Sequence, residues 1–390
     1  MGKYSTKILK CINNININDN INDNINENNI DKIKTTIDDL NLEHTIDTQI
    51  IKSNCKNNKY PLLYLTHYSN ITFMDFLKQY RLKQIKQKPV EHNKHFDSNF
   101  IDLLYNNNFI SPDIQHLAEI SDMVLKIYTF NNGLKLFIYN ILDNHNHKPE
   151  LNIEYIIKLC YIVRNLSKYK QFPKIIIFNC FQRKQFTKFY NDNILSSENI
   201  NSGACLPLNY IYIYRNEEFY KVLTHELVHF YKLDKYFPNN KLDNIRKKYC
   251  IEYNLDIPNE AYTETFAIII YNSFISNILN KDFNLLICNE IKFSLLQVKK
   301  ILEFFKLKSL KEIYNTKCQK KIIVTTSVIS YFILKTVMLL NINHFCNDFN
   351  YILNNIDSII NDLDNILETI DTSKLNGFVA DTLRMTCNEL

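Results

Sequence analysis

The sequence lacks the features that mark a secreted, disulfide-bonded protein. Its ten cysteines are scattered over 390 residues, and no two of them form a CxxC pair. A disulfide framework is typical of a short chain that follows a signal peptide, and the N-terminal residues have no apolar signal-peptide core. We therefore expect reduced thiols in a cytoplasmic protein that is not secreted.

Long apolar runs and concentrated positive charge are also scarce. The one long apolar run, residues 322–340, contains Lys335, and a charge near the middle of a span costs about 3 kcal/mol in a bilayer. A buried helix is expected there, and no membrane span. The net charge is only +5 and its lysines and arginines are spread along the chain, which argues against a nucleic-acid partner.

Tryptophan is absent, only four glycines are present, and asparagine, isoleucine and lysine are abundant. This composition suggests an AT-rich genome and resembles that of proteins from large amoeba-infecting viruses or AT-rich protists. For a viral protein, the expected location is the host cytoplasm or the virion. The Asn-rich tract at 13–29 cannot bury enough apolar surface to offset its conformational entropy, so residues 1–50 are expected to form a disordered leader.

Several segments in the middle of the chain have clear periodicity. Residues 124–130 and 134–139 are β-type runs, and the Asn-Asn-Gly at 131–133 between them predicts a hairpin. Residues 150–168 have helical periodicity. Residues 174–181 form an apolar run that predicts a buried strand. Upstream, the segment 60–84 is expected to be helical.

A strand and a helix start are predicted just before the most informative motif. Residues 209–215 alternate like an exposed strand. Asn216 is a plausible N-cap, and Glu217 and Glu218 would occupy the first turn, where the helix dipole favours acidic side chains. A helix is therefore expected from Glu217 to about Lys232. Upstream, Gly203 is expected to make a turn beside this region.

That helix carries the sequence His225-Glu226-Leu227-Val228-His229. His225 and His229 lie one turn apart and project from the same face, so their imidazoles can bind one zinc ion. Glu226 is rotated by about 100° from His225, within reach of a water on the metal. The HExxH spacing therefore predicts two ligands and a general base on one rigid element.

A catalytic zinc usually takes three protein ligands and keeps one position for water. A second helix, expected to begin at Pro258 or Asn259 and to run to Leu279, supplies candidates for the third. Glu260 and Glu264 lie one turn apart on one face of it. Glu260 can reach the zinc, and Glu264 can accept a hydrogen bond from a ligand histidine. Glu264 as the ligand stays open as the alternative.

The HExxH helix followed by a second helix with Glu-x-x-x-acid resembles the gluzincin metallopeptidases. Residues 259–264, NEAYTE, resemble the NExxxD helix of the thermolysin group. The run from Glu260 to Phe266 is similar to the Glu-x-x-x-Glu-x-Phe pattern of the anthrax-lethal-factor-like group. In that group a tyrosine seven residues before the ligand glutamate assists catalysis, and Tyr253 holds that position here. The gap from His229 to Glu260 is longer than in thermolysin, so the intervening loop and the substrate pocket stay undetermined.

The resemblance implies an α+β fold. A zincin-like domain at 123–284 would contain a small mixed sheet whose edge strand precedes the HExxH helix. A mostly helical segment at 51–122 would precede it, and a helical region at 285–390 would follow. Within that region, apolar patterning predicts four helices, at 285–305, 322–340, 349–370 and 378–387.

The resemblance also implies a zinc-dependent endopeptidase with one Zn²⁺ per chain. Glu226 would act as the general base, and Tyr253 or another donor would stabilise the oxyanion. A peptide or protein substrate would pair with the edge strand, which carries Tyr210, Tyr212 and Tyr214. The alternative is a catalytically inactive zincin-fold protein with a binding or structural role, such as a virion component. The retention of Glu226 speaks against it. The sequence does not indicate the oligomeric state.

Overall fold

A computed structural model describes residues 86–90, 110, 112–120, 123–130, 133–141, 151–180, 183–184, 186, 194–234, 257–314, 323–324, 326–347, 349–370 and 382–390. The expected leader at 1–50 and the expected helix at 60–84 lie outside these residues, as does Tyr253.

The strands are β1 (Lys86–Val90), β2 (Met123–Thr129), β3 (Lys135–Ile141), β4 (Lys174–Asn179), β5 (Ile194–Leu195), β6 (Gly203–Leu206), β7 (Tyr210–Ile213) and β8 (Ile323–Val324). The α-helices are α1 (Pro112–Ile120), α2 (Ile153–Leu166), α3 (Ser197–Ile200), α4 (Phe219–Phe230), α5 (Ile257–Leu279), α6 (Phe283–Phe304), α7 (Lys335–Leu340), α8 (Ile342–Asn347) and α9 (Phe349–Glu368). A 3₁₀-helix covers Leu310–Tyr314, and a π-helix covers Ile329–Leu334.

The chain divides into two compact units. Of the described residues, those at 86–183 and 201–233 form one unit, which contains a six-stranded sheet. Those at 184–200, at 234 and from 257 onward form the other, which is largely helical. In the sheet the strand order is β1-β2-β3-β4-β7-β6. The pairs β3/β4 and β4/β7 are parallel and the other three are antiparallel, so the sheet is mixed. A small mixed sheet together with a helical C-terminal region confirms the α+β class.

The hairpin predicted at the Asn-Asn-Gly sequence is confirmed. Strands β2 and β3 pair antiparallel, from Met123 opposite Ile141 to Thr129 opposite Lys135. Gly133 adopts φ of 94°, a conformation that costs least for glycine, and its N–H donates to the carbonyl of Phe130. The predicted buried strand is confirmed as β4, which lies in the interior of the sheet.

Successive side chains of each strand point to opposite faces of the sheet, so each face carries its own set of residues. On one face, a hydrophobic cluster joins side chains of the sheet to Ile114 of α1. Its members from β3, β4 and β7, with one residue just past β7, are Tyr139, Ile176, Phe178, Tyr212 and Tyr214. The intervening residues, such as Ile175, Ile177, Ile211 and Ile213, point to the opposite face and are buried there. Helix α4 contacts β6 and β7.

The prediction that residues 209–215 form an exposed edge strand is wrong. The segment does contain a strand, β7, but β7 pairs with β4 on one side and β6 on the other. Alternation of tyrosine with isoleucine indicated a solvent-facing side. In the fold that side packs into the hydrophobic cluster, because the tyrosine ring is largely apolar. Among the described residues, the strand at this edge of the sheet is β6, and β1 lies at the opposite edge.

Helix α2 confirms the periodicity seen at 150–168. Its N-cap is Asn152, whose side chain accepts a hydrogen bond from the backbone N–H of Tyr155. The backbone N–H of Asn152 donates to the hydroxyl of Tyr220 on α4, at 2.8 Å, and the rings of Tyr155 and Tyr220 meet edge to face. The start of α2 is therefore tied to the first turn of α4.

In the helical unit, three of the predicted helices are confirmed as α5, α6 and α9. The single helix predicted at 322–340 is wrong in its first part. Ile323–Val324 is a short strand that pairs with β5, and a π-helix then leads into α7. Of the helices that the structure describes, none combines the length and hydropathy needed to cross a membrane.

The helix predicted at 378–387 is also wrong where the structure describes it. Residues 382–390 have no regular secondary structure, yet most of them are buried. Three of their backbone carbonyls accept hydrogen bonds from long side chains of α6 and α7. The donors are Gln297, Lys300 and Lys335, which bond to the carbonyls of Arg384, Thr382 and Met385.

Glu290 on α6 binds the backbone of the same segment. Its carboxylate accepts hydrogen bonds from the N–H groups of Cys387 and Asn388 and from the hydroxyl of Thr386. Burial raises the pKa of Glu290, while the Thr386 hydrogen bond and the positive charge of Lys335 oppose the shift. The segment is thus held by polar groups that helical periodicity does not reveal.

The N-cap of α2 gives a direct test of this local structure. Asn152→Ala removes the acceptor for the Tyr155 N–H and should lower the free energy of unfolding by about 1 kcal/mol, measured by urea denaturation. Asn152→Asp keeps the acceptor and should remain close to wild type. Equal stability of Asn152→Ala and wild type would contradict the capping role.

Candidate metal centre

Helix α4, which carries the HExxH motif, does not start with the predicted cap. Asn216 was expected to be the N-cap, but Glu218 occupies that position in a left-handed conformation with φ of 60° and makes no side-chain capping bond. The side chain of Asn216 donates to Asn179 instead, and Asn179 donates to Asn140 at 2.7 Å. The side chain of Asn216 therefore takes part in a ladder of side-chain amides at the ends of β3 and β4.

The burial of α4 singles out one of its histidines. Every residue of the helix is buried except His229, which is half-buried. The helix packs on α2 as well as on β6 and β7. His225 and Glu226 are 7% and 6% exposed, so they are largely shielded from bulk water. A buried polar cluster is costly unless its groups are paired or bind a metal ion.

The two histidines already lie at a distance that suits a shared metal ion. Their Nε2 atoms are 3.1 Å apart, and the rings meet at an interplanar angle of 74°. Two nitrogens bound to a tetrahedral zinc ion at about 2.0–2.1 Å are about 3.3 Å apart. A small rotation of the rings is sufficient to reach that separation. The predicted placement of His225 and His229 on one face is confirmed.

Glu226 packs directly on the edge strand. A Cβ atom added at Gly203 would lie 2.8 Å from Oε1 of Glu226 and 2.9 Å from a methyl carbon of Val222. Glycine at position 203 therefore lets this carboxylate lie against β6 without displacement of either group. Gly203 begins the strand, so the expected turn at this position is wrong. Burial raises the pKa of Tyr214, and the charge of Glu226 adds to that shift.

The second acidic helix begins as predicted. Helix α5 starts at Ile257, and Glu260 is the acidic residue of its first turn, where the helix dipole favours a carboxylate. Oε2 of Glu260 accepts a hydrogen bond from the hydroxyl of Tyr331, at 3.0 Å. Glu264, one turn later, is fully buried. Its role as an acceptor for a ligand histidine stays a prediction.

His225, His229 and Glu260 form a group that could hold a metal ion. Each offers one ligand atom, and the three atoms all lie within 4.8 Å of one another. Two imidazole nitrogens and one carboxylate oxygen make a donor set found at catalytic zinc sites with an open fourth position. Imidazole also suits iron, copper and nickel, so the donor set alone does not select zinc. The group contains Glu260 rather than Glu264.

The predicted substrate-binding tyrosines have unequal surroundings. Tyr212 and Tyr214 belong to the hydrophobic cluster of the sheet and are 5% and 2% exposed. Tyr210 is only partly buried, and its ring stacks on that of Tyr212. These tyrosines were expected to contact a substrate because β7 was predicted to be the edge strand. In the described sheet, β6 lies at that edge and β7 lies inside it.

The sequence patterns did not predict the contacts that two residues make in the site. Tyr331 lies in an apolar run far along the chain, and nothing in its spacing connects it with Glu260. Gly203 was expected beside the HExxH helix, but in a turn, and nothing in its spacing connects it with Glu226. Both depend on tertiary contacts between segments that are distant in sequence.

No protein-family profile, curated protein or solved structure matches this chain.

Metal binding by the histidine pair can be tested directly. The purified protein, after incubation with zinc and removal of excess metal, should retain one zinc ion per chain by elemental analysis. His225→Ala and His229→Ala should each weaken binding by more than about 100-fold, since loss of a ligand exceeds the 10–100-fold effect of an outer partner.

The matched control is His344→Ala. His344 lies on α8 and stacks on Tyr351, with ring centroids 3.7 Å apart. This variant should retain zinc as the wild type does. Equal zinc retention by His225→Ala and His344→Ala would remove the histidine pair from the metal site.

Proposed function

We propose that the protein is a zinc-dependent endopeptidase with a zincin-like fold of gluzincin type. His225, His229 and Glu260 would hold one zinc ion, and Glu226 would act as the general base. The observation that carries the proposal is the grouping of these three ligand atoms within 4.8 Å, with Glu226 adjacent to His225 on the same helix. A metal-binding protein without turnover has no need of a carboxylate at position 226.

The bound zinc ion would supply a water of lowered pKa and a Lewis acid for the peptide carbonyl. The protein residues would do the rest. His225 and His229 would present neutral imidazoles through their Nε2 atoms. The Glu226 carboxylate would accept the proton of the attacking water and deliver it to the leaving amine nitrogen. Its low exposure would limit competing water and strengthen the electrostatic interactions of the carboxylate.

The proposal assigns substrate docking to β6 instead of β7. In the sheet as described, β6 is the last strand and pairs only with β7. An extended peptide can add to such an edge through backbone hydrogen bonds. The strand begins at Gly203, against which Glu226 packs, so a peptide on β6 would lie near the general base. Leu206 at its other end is 51% exposed and offers an apolar contact.

The role of Glu226 separates an enzyme from an inactive binding protein. Glu226→Gln keeps the size of the side chain but cannot accept the proton, so cleavage of a peptide library should fall by about 10²–10⁴-fold. Zinc content should remain one ion per chain. Zinc retention with no cleavage by wild type or variant would favour the inactive binding protein, and cleavage by both at the same rate would remove Glu226 from the reaction.

Gly203 provides a second test that leaves every proposed ligand in place. Gly203→Ala should push the Glu226 carboxylate away from β6, because Oε1 is the nearest atom to the new methyl group. A misplacement of about 1 Å can lower the rate about 10²-fold. We expect kcat to fall by about that factor while zinc affinity is retained, measured by steady-state kinetics and chelator competition.

Ala204→Ser is the matched control for Gly203→Ala. It also adds one heavy atom to β6, but on the opposite face of the strand. Its kcat should stay close to that of wild type. If both variants lose activity equally, the effect belongs to the strand as a whole and not to the position of Glu226.

A further inference from the structure

We propose that Tyr331 is a positioning residue that orients Glu260 toward the metal ion. This inference builds on the proposed function, because it assumes that Glu260 is a zinc ligand. Its starting point is the hydrogen bond of 3.0 Å from the Tyr331 hydroxyl to Oε2 of Glu260. The two residues are far apart in sequence, and both lie in the helical unit.

A carboxylate ligand needs an external partner to fix its orientation. Glu260 lies in the first turn of α5, and the terminal torsion of a glutamate side chain is broad. A hydrogen bond to one carboxylate oxygen restricts this rotation. With Oε2 held by Tyr331, the metal ion would be bound through Oε1. Such outer partners typically change metal affinity or activity 10–100-fold when they are removed.

The backbone that carries Tyr331 is unusual and well anchored. Tyr331 lies in the π-helix Ile329–Leu334, which packs on α5. π-Helical segments are rare and occur frequently at functional sites, because the wider turn changes which side chains share a face. The neighbours Ser330 and Phe332 are fully buried, whereas Tyr331 is half-buried. Tyrosine has only two side-chain torsions, so an anchored backbone fixes its hydroxyl closely.

The test is Tyr331→Phe, which removes the hydroxyl and keeps the ring. Zinc affinity, measured by chelator competition, should fall 10–100-fold. The visible absorption of the cobalt-substituted protein should also change, because it reports the ligand geometry. Tyr351→Phe is the matched control: Tyr351 lies on α9 and stacks on His344, so both readings should stay at the wild-type values.

A double-mutant cycle distinguishes positioning from a general effect on folding. If Tyr331 acts through Glu260, Tyr331→Phe should cause no further loss of zinc affinity in a Glu260→Ala background. Equal losses in both backgrounds would show that Tyr331 acts independently of Glu260 and would overturn the inference. This comparison remains valid if Tyr331→Phe lowers stability, since any such loss is present in both backgrounds.

Other results would distinguish failure of the Tyr331 role from failure of the zinc site itself. If Tyr331→Phe retains wild-type zinc affinity and cobalt absorption while His225→Ala loses zinc, the positioning role is wrong and the zinc site stands. A fall in kcat alone, with both metal readings unchanged, also overturns it. If the wild type binds no zinc, the proposed function fails and this inference fails with it.

Discussion

The close approach of α4 to the edge strand β6 is the constraint that determines the geometry of the candidate site. Helix α4 is buried on nearly all sides, so its position is set by packing and not by the two histidines. At the contact, a glycine stands where any side chain would collide with Oε1 of Glu226. The same packing leaves His229 as the one residue of the helix that is not buried. The low exposure of Glu226 and the greater exposure of His229 thus follow from the packing of one helix.

Elements with a strong local pattern were predictable from the sequence. The Asn-Asn-Gly hairpin, the buried strand β4 and helices α2, α5, α6 and α9 all follow from periodicity and turn residues. The pairing of His225 with His229 was equally predictable, because the i, i+4 spacing places both side chains on one face of any helix. Glu260 could be predicted as the candidate third ligand from its place in the first turn of a second apolar helix.

The remaining features depend on long-range contacts. Strand β7 was placed at the edge because tyrosine alternates with isoleucine, but both sides of that pattern can be buried. Apolar patterning predicts a helix at 378–387, but in the described segment 382–390 the backbone polar groups bind Lys300, Lys335 and Glu290. The π-helix that carries Tyr331 has no sequence marker, so its hydrogen bond to Glu260 could not be foreseen.

The proposed function requires that His225, His229 and Glu260 bind one zinc ion. The most direct measurement is a crystal structure of the zinc-loaded protein with anomalous diffraction recorded on both sides of the zinc absorption edge. We predict one strong anomalous peak at about 2.0–2.2 Å from Nε2 of His225, Nε2 of His229 and a carboxylate oxygen of Glu260. A zinc-loaded crystal with no peak at these three residues, or with its peak at other side chains, would contradict the account.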